Sequence, residues 1–127
     1  MHDCHFCNVE ANDRGQIVAE NEWAFVARDS FPVTPGHTLL LPKRHVADYF
    51  GLTAQEAVAI HALLCEQKLI LEKQDPSIEG FNIGVNCGEM AGQSFFHCHV
   101  HLIPRRRGDV DKPKGGVRHV IPKKGFY

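Results

Sequence analysis

Residues 97 to 101 read His97-Cys98-His99-Val100-His101, an imidazole at every second position. Successive side chains on a β-strand point to opposite faces, so His97, His99 and His101 line one face while Cys98, Val100 and Leu102 fill the other. A neutral imidazole brings a donor and an acceptor that both need partners when buried, which makes three in a row a poor filling for a core. The pattern therefore points to chemistry, and two kinds fit it. His-x-His on a strand is a metal-ligand spacing that can leave an open position for water. Imidazole is also a nucleophile toward phosphorus near neutral pH and a reasonable leaving group afterwards, so a covalent intermediate divides one hard displacement into two easier ones.

Cys4-x-x-Cys7 is the other spacing that could hold an ion. In a reducing compartment it suggests metal or structural thiols rather than a disulfide framework, and five cysteines, an odd number, agree with that. Cys65, Cys87 and Cys98 read as small apolar fillers. Directly behind the histidines, Arg105-Arg106-Arg107 concentrates positive charge and could hold an extended polyphosphate.

The elements that must position these groups can be read between turn signals. Segments 16–20, 23–28, 37–41, 81–86 and 96–103 carry β-branched, aromatic or alternating apolar residues and read as strands. Thr53-Ala54-Gln55-Glu56 is a capping box, and Ala57, Ile60, Leu64 and Leu71 recur on one side of a long helix that Asp75-Pro76 stops. A short helix is predicted around Val46 to Phe50. The fold class expected is α+β, an antiparallel sheet with one long and one short helix. Residues 108 to 116 read as a loop, opening a C-terminal arm from about residue 106 in which 115–122 alternates weakly as an edge strand or an ordered arm.

A chain of 127 residues fits one domain, residues 1–127, and can bury roughly two-thirds of its unfolded surface without disulfide staples. A formal net charge of −1 gives no whole-molecule drive toward nucleic acid or anionic lipid. No apolar run approaches the ~18 residues that span a bilayer, and Met1-His2-Asp3-Cys4 lacks the basic and apolar regions of a signal peptide, so a cytoplasmic protein is expected.

Gly92-Gln93-Ser94 before the histidines and Leu102-Ile103-Pro104-Arg105 after them resemble the signature of the histidine-triad (HIT) family of nucleotide hydrolases and transferases. Pro35-Gly36-His37-Thr38-Leu39-Leu40-Leu41-Pro42-Lys43-Arg44-His45 is similar to a second segment of that family, and Phe81-Asn82-Ile83-Gly84-Val85-Asn86 to its Asn-bearing strand. The resemblance covers most of residues 4 to 105. It implies that two subunits pair into one continuous sheet as a homodimer.

It also implies roles. His99 would be the nucleophile, oriented by a main-chain carbonyl near His97, with His101 and His37 flanking the phosphate and donating to its non-bridging oxygens. Ser94 would contact the departing atom. Asn86, seven positions before Gln93, and Gln93 itself would bind phosphate, Asp29, eight positions before His37, would hold the ribose hydroxyls, and Phe6 and Val9 would cover the nucleobase. In some bacterial members Cys4, Cys7, His45 and His97 correspond to ligands of a structural zinc, and no catalytic cofactor is expected. The activity implied is attack on the α-phosphate of an adenosine-like nucleotide, a phosphoramidate or dinucleoside polyphosphate, releasing a nucleoside monophosphate.

Three other readings remain open on the sequence. One is a zinc-dependent hydrolase whose triad binds the metal. Another is nucleotidyl transfer or phosphorolysis, although the uridylyltransferase branch typically has glutamine where this chain has His101. The third is a nucleotide-binding protein without turnover.

Overall fold

The computed structural model describes residues 4–127. Helix α1 (His5–Asn12) is followed by strands β1 (Ile17–Glu20), β2 (Ala24–Arg28) and β3 (Thr38–Pro42), then helix α2 (Ala54–Gln74) and strands β4 (Ile78–Gly84) and β5 (Val100–Arg106). The strands form one antiparallel sheet in the order β1-β2-β3-β5-β4. This is the expected α+β architecture of two helices and an antiparallel sheet.

Period-two alternation decides what each face of the sheet carries. Ala24, Val26, Leu40, Val100 and Leu102 pack against Ala59, Ile60, Leu63 and Leu71 of α2. On the opposite face Phe25, Leu39 and Leu41 pack against Phe6 and Val9 of α1. Both faces are covered at β2 and β3, so Ala24–Ala27 and all of β3 are buried. Leu39 stands opposite His101, and His101 opposite Gly84, so the α1 face continues from apolar packing directly into the histidines.

Helix α2 starts where the sequence places it. Thr53 Oγ1 accepts from Glu56 N–H at 3.1 Å and Glu56 Oε1 accepts from Thr53 N–H at 2.9 Å. Its buried face is Glu56, Ala59, Ile60, Leu63, Gln67 and Leu71, while Ala57 and Leu64 lie at the edge of that face. Glu56 is 2 % exposed and takes a two-pronged bond from Arg44, which ties the helix start to the segment carrying His45.

Several elements differ from the sequence reading. The triad strand begins at Val100 rather than residue 96: β3 pairs with β5 only as far as Leu40 opposite Val100, and before that a lone bond from Cys98 N–H to the Val46 carbonyl guides the chain. Strand β4 occupies residues 78–84, so Asn86 lies on the turn after it. The short helix expected at residues 46–50 is a 3-10 turn, Tyr49–Gly51, capped by the Asp48 carboxylate, and Val46 packs instead against Gly51. The short α-helix is α1, whose eight residues carry only Phe6 and Val9 as buried anchors, too little periodicity to be read in advance. Beyond β5 the arm is not an edge strand: a 3-10 turn, Gly116–Val120, folds back so that Gly116 lies against Asn82 of β4.

Candidate active site and metal centre

A cleft opens on the α1 face of the sheet. Its apolar part is walled by Phe6 and Val9 of α1, Ala27 of β2, Phe31 of the loop between β2 and β3, and Leu39 of β3; its polar part is lined by Asn86, Ser94, His99 and His101. Gly92, at φ +97°, makes the turn that lets residues 93 and 94 pass close by the Asn86 side chain. Asp29 sits between the two parts. Its backbone N–H donates to the His37 carbonyl, closing the intervening loop, its Oδ1 accepts from Phe31 N–H at 2.8 Å, and its Oδ2 lies 3.5 Å from His37 Nε2.

The hydrogen bonds fix the histidine tautomers. A carbonyl can only accept, so the 2.8 Å contact of His99 Nδ1 with the His97 carbonyl requires the proton on Nδ1 and leaves the Nε2 lone pair free. Val33 N–H donates to His37 Nδ1 at 3.1 Å, so neutral His37 carries its proton on Nε2 and gives it to His101 Nδ1 at 2.9 Å. His101 must then present Nε2–H. Burial, aided by His99 and His37, pushes the His101 pKa down to about 4, and burial lowers that of His37 against the pull of Asp29. Both rings are therefore neutral near pH 7. The site pairs an unprotonated nitrogen on His99 with a donor on His101, the combination that attack on a phosphoryl group needs.

Two residues occupy other places than the sequence suggests. His37, 4 % exposed, does not line the cleft: it stands one hydrogen bond behind His101. Gln93 is buried with its amide fully used, accepting from Gly88 N–H and donating to the carbonyls of Ala47 and Phe95, so it braces the turn that displays Ser94. The arginine run does not face the cleft either. Arg105 is paired with Asp109 and Asn82, Arg106 with Asp75 and Arg107 with Glu79, and these carboxylates neutralise the charge a polyphosphate would have used.

The cleft also uses residues that motif reading missed. Phe31 and Phe95 line it, and the Phe95 ring lies 5.6 Å from Phe6, centroid to centroid. Gln16 and His5 reach its rim. An aromatic residue beside a turn is a weak signal in isolation; only the folded loop brings Phe31 across from α1.

Behind the cleft Cys4, Cys7, His45 and His97 converge, with all four ligand atoms within 4.8 Å of one another. Sγ of Cys4 and of Cys7 each lie 3.4 Å from His97 Nδ1, and Cys7 Sγ lies 3.3 Å from His45 Nδ1. Ligands at ordinary Zn–S and Zn–N bond lengths in a tetrahedron stand about 3.6 Å apart. His97 Nε2–H donates to the Pro42 carbonyl at 2.8 Å, which leaves Nδ1 as the lone-pair nitrogen, as the outer partner of a metal-bound imidazole does. Burial and the neighbouring Cys4 push the Cys7 thiol up to about 11, a penalty on the thiolate that a bound dication offsets. The donor set fits structural zinc.

A second set of ligand-type atoms comes from Asp29, His37 and His101. His97 belongs to the first group, His101 to the second and His99 to neither, so among the described residues the three triad rings do not converge on one ion. This geometry does not favour a metal held by the triad itself.

Comparison with known proteins gives the family. The profile of the HIT domain matches residues 10–108. An uncharacterised HIT-like protein of Saccharolobus solfataricus is 36% identical over 126 residues, covering 98% of this chain and 89% of that protein. A protein of Mycobacterium tuberculosis named AP-4-A phosphorylase is 31% identical over 102 residues, 80% of this chain but 52% of its own length. The crystal structure of a zinc-bound histidine triad family protein from Mycobacterium smegmatis superposes with a TM-score of 0.77 at 31% identity, covering 85% of this chain and 78% of that one. With the domain profile matching residues 10–108 and a relative 36% identical over nearly the full length of both chains, the chain belongs to the histidine-triad (HIT) family.

Proposed function

We propose that this protein is a nucleotide hydrolase that passes a nucleotidyl group through His99. The observation that carries the reading is the bond from His99 Nδ1–H to the His97 carbonyl, because it holds the lone pair of Nε2 toward the cleft. An adenosine-like base would lie between Phe6, Val9 and Phe31, and Asp29 would accept from the ribose hydroxyls. His99 Nε2 attacks the α-phosphorus while His101 Nε2–H donates to a non-bridging oxygen and Asn86 to another. The bond to the leaving group breaks with Ser94 beside the departing atom, a nucleotide leaving as its phosphate anion and an amine leaving with a proton taken from solvent. Water then attacks the nucleotidyl-histidine, releasing the nucleoside monophosphate and returning the nitrogen its lone pair. Phosphoramidates and dinucleoside polyphosphates both fit this scheme.

A second acceptor is favoured by one observation, the relative named AP-4-A phosphorylase. With inorganic phosphate in place of water the same intermediate would yield a nucleoside diphosphate. Structural zinc at Cys4, Cys7, His45 and His97 would hold α1 against the turn before β5 without entering the chemistry. The homodimer would form through β4, the seven-residue edge strand, and the free cysteines suit a reducing, cytoplasmic setting.

The test is product analysis with adenosine 5′-phosphoramidate and with diadenosine tetraphosphate, with and without inorganic phosphate, for the wild type and His99→Ala. AMP as the product, lost in the variant, supports hydrolysis; ADP appearing only with phosphate supports phosphorolysis. Turnover that survives His99→Ala defeats both. Size measurement in solution tests the dimer.

A further inference from the structure

Helix α1 belongs to the metal cluster and to the cleft at once. Cys4 is its N-cap and Cys7 lies in its first turn, while Phe6 between them and Val9 beyond are walls of the cleft. The Phe6 ring stands 5.1 Å from the His99 ring and 6.0 Å from that of His97, centroid to centroid. At eight residues the helix is too short to persist by itself in water. Its other holds on the sheet are an exposed bridge from Glu10 through Arg14 to Glu20 of β1, and the packing of Phe6 and Val9 on Phe25, Leu39 and Leu41, made by the same two side chains that form the wall.

The nucleophile's side is held differently. His97 Nε2–H donates to the Pro42 carbonyl at 2.8 Å and Cys98 N–H to the Val46 carbonyl at 2.7 Å, and neither bond involves a thiol. The segment whose carbonyl orients His99 thus has two holds that do not depend on the cysteines. Ser94 and Asn86 sit on turns and His101 on β5, none of them on α1.

We infer that Cys4 and Cys7 are positioning residues for nucleobase recognition. Ligation of an ion fixes α1 and with it the Phe6 and Val9 wall, so that ion binding and nucleobase binding are thermodynamically coupled while the phosphate-binding histidines are indifferent to the ion. The inference rests on the nucleotide-site reading above and on the fit of the four ligands to zinc. Coupling of this kind is reciprocal: whatever factor zinc adds to nucleotide affinity, the nucleotide adds to zinc affinity.

The experiment is calorimetric titration of the whole chain with AMP and with ribose 5-phosphate, zinc-loaded and after chelator treatment. Stripping zinc is expected to weaken AMP on the order of tenfold, the size of losing one well-buried aromatic contact, and to leave ribose 5-phosphate unchanged. Should the stripped chain not stay folded, the coupling is read from the other side, as the chelator concentration that removes half the zinc with and without saturating AMP. AMP is expected to raise that concentration, and Phe6→Ala, which keeps all four ligands, to abolish the increase. Equal AMP affinity with and without zinc overturns the inference, as does an equal loss for AMP and ribose 5-phosphate, or a chain that binds no zinc. If AMP binds in neither state, the nucleotide reading itself has failed, an outcome distinct from binding that ignores the ion.

Discussion

His101 receives a hydrogen bond on Nδ1 from Nε2 of His37 at 2.9 Å, and His37 in turn is fixed by the backbone N–H of Val33. This chain of donors makes His101 a neutral donor at Nε2, and its consequences can be measured. Because burial holds the His101 pKa down at about 4, the ring is expected to stay neutral from pH 7 to about 5, where an exposed histidine is already charged. The unfolded chain binds a proton near pH 6.5 that the folded chain refuses, so the contribution to stability is complete above that pH and is lost as pH falls through the window down to about 4. Nitrogen-15 NMR titration of the His101 ring checks this; a midpoint near 6.5 would contradict the buried-donor assignment.

Because His37 reaches the cleft only by its hydrogen bond to His101, the two are expected not to count separately. Replacement of His101 by Ala is expected to lower kcat on the order of 10²-fold, as loss of a preorganised donor does. Replacement of His37 by Ala should cost less, and the double variant should be no worse than His101→Ala alone. Multiplying effects in this cycle would mean that His37 touches the substrate by itself.

The Asp29 carboxylate lines the cleft, with one oxygen committed to Phe31 N–H and the other lacking a short hydrogen bond, 3.5 Å from His37 Nε2. Asp29→Ala is therefore expected to weaken ribonucleotides more than their 2′-deoxy counterparts, mainly in KM. Equal losses for the two sugars would show that Asp29 shapes the loop rather than holding the ribose.

Glu56 is buried and answers to three partners, the N–H of Thr53 and two nitrogens of Arg44. Glu56→Ala breaks the capping box and frees the Arg44 segment that carries His45, with an expected loss of about 2 kcal/mol in unfolding free energy. Its pKa is lowered chiefly by the hydrogen bond from Arg44, so this stabilisation is present above the ordinary glutamate range and declines in acid. Chemical denaturation at pH 7 and pH 4 measures both; an unchanged midpoint for the variant at pH 7 would remove Glu56 from this role.

The sequence alone determined the parts whose signal is local. The start of α2 follows from Thr53 and Glu56 and its end from Asp75-Pro76, whereas the strand period reaches only His101 of the triad, because β5 begins at Val100. The resemblance drew Cys4, Cys7, His45 and His97 into one set, and the fold brought their ligand atoms together. Tertiary structure decided what each group can do, because a side chain's role depends on which partners consume its hydrogen bonds. Gln93 and His37 read as ligands of phosphate until the buried carbonyls around Gln93 and the His101 ring beside His37 are seen to use them. Arg105, Arg106 and Arg107 form a basic run in the sequence, yet the acids that neutralise them include Asp75 and Glu79, which lie far along the chain. The wall of Phe6, Phe31 and Phe95 was illegible for the same reason: three isolated aromatics from separate segments become one surface only when the sheet, α1 and the loop before His37 close around them.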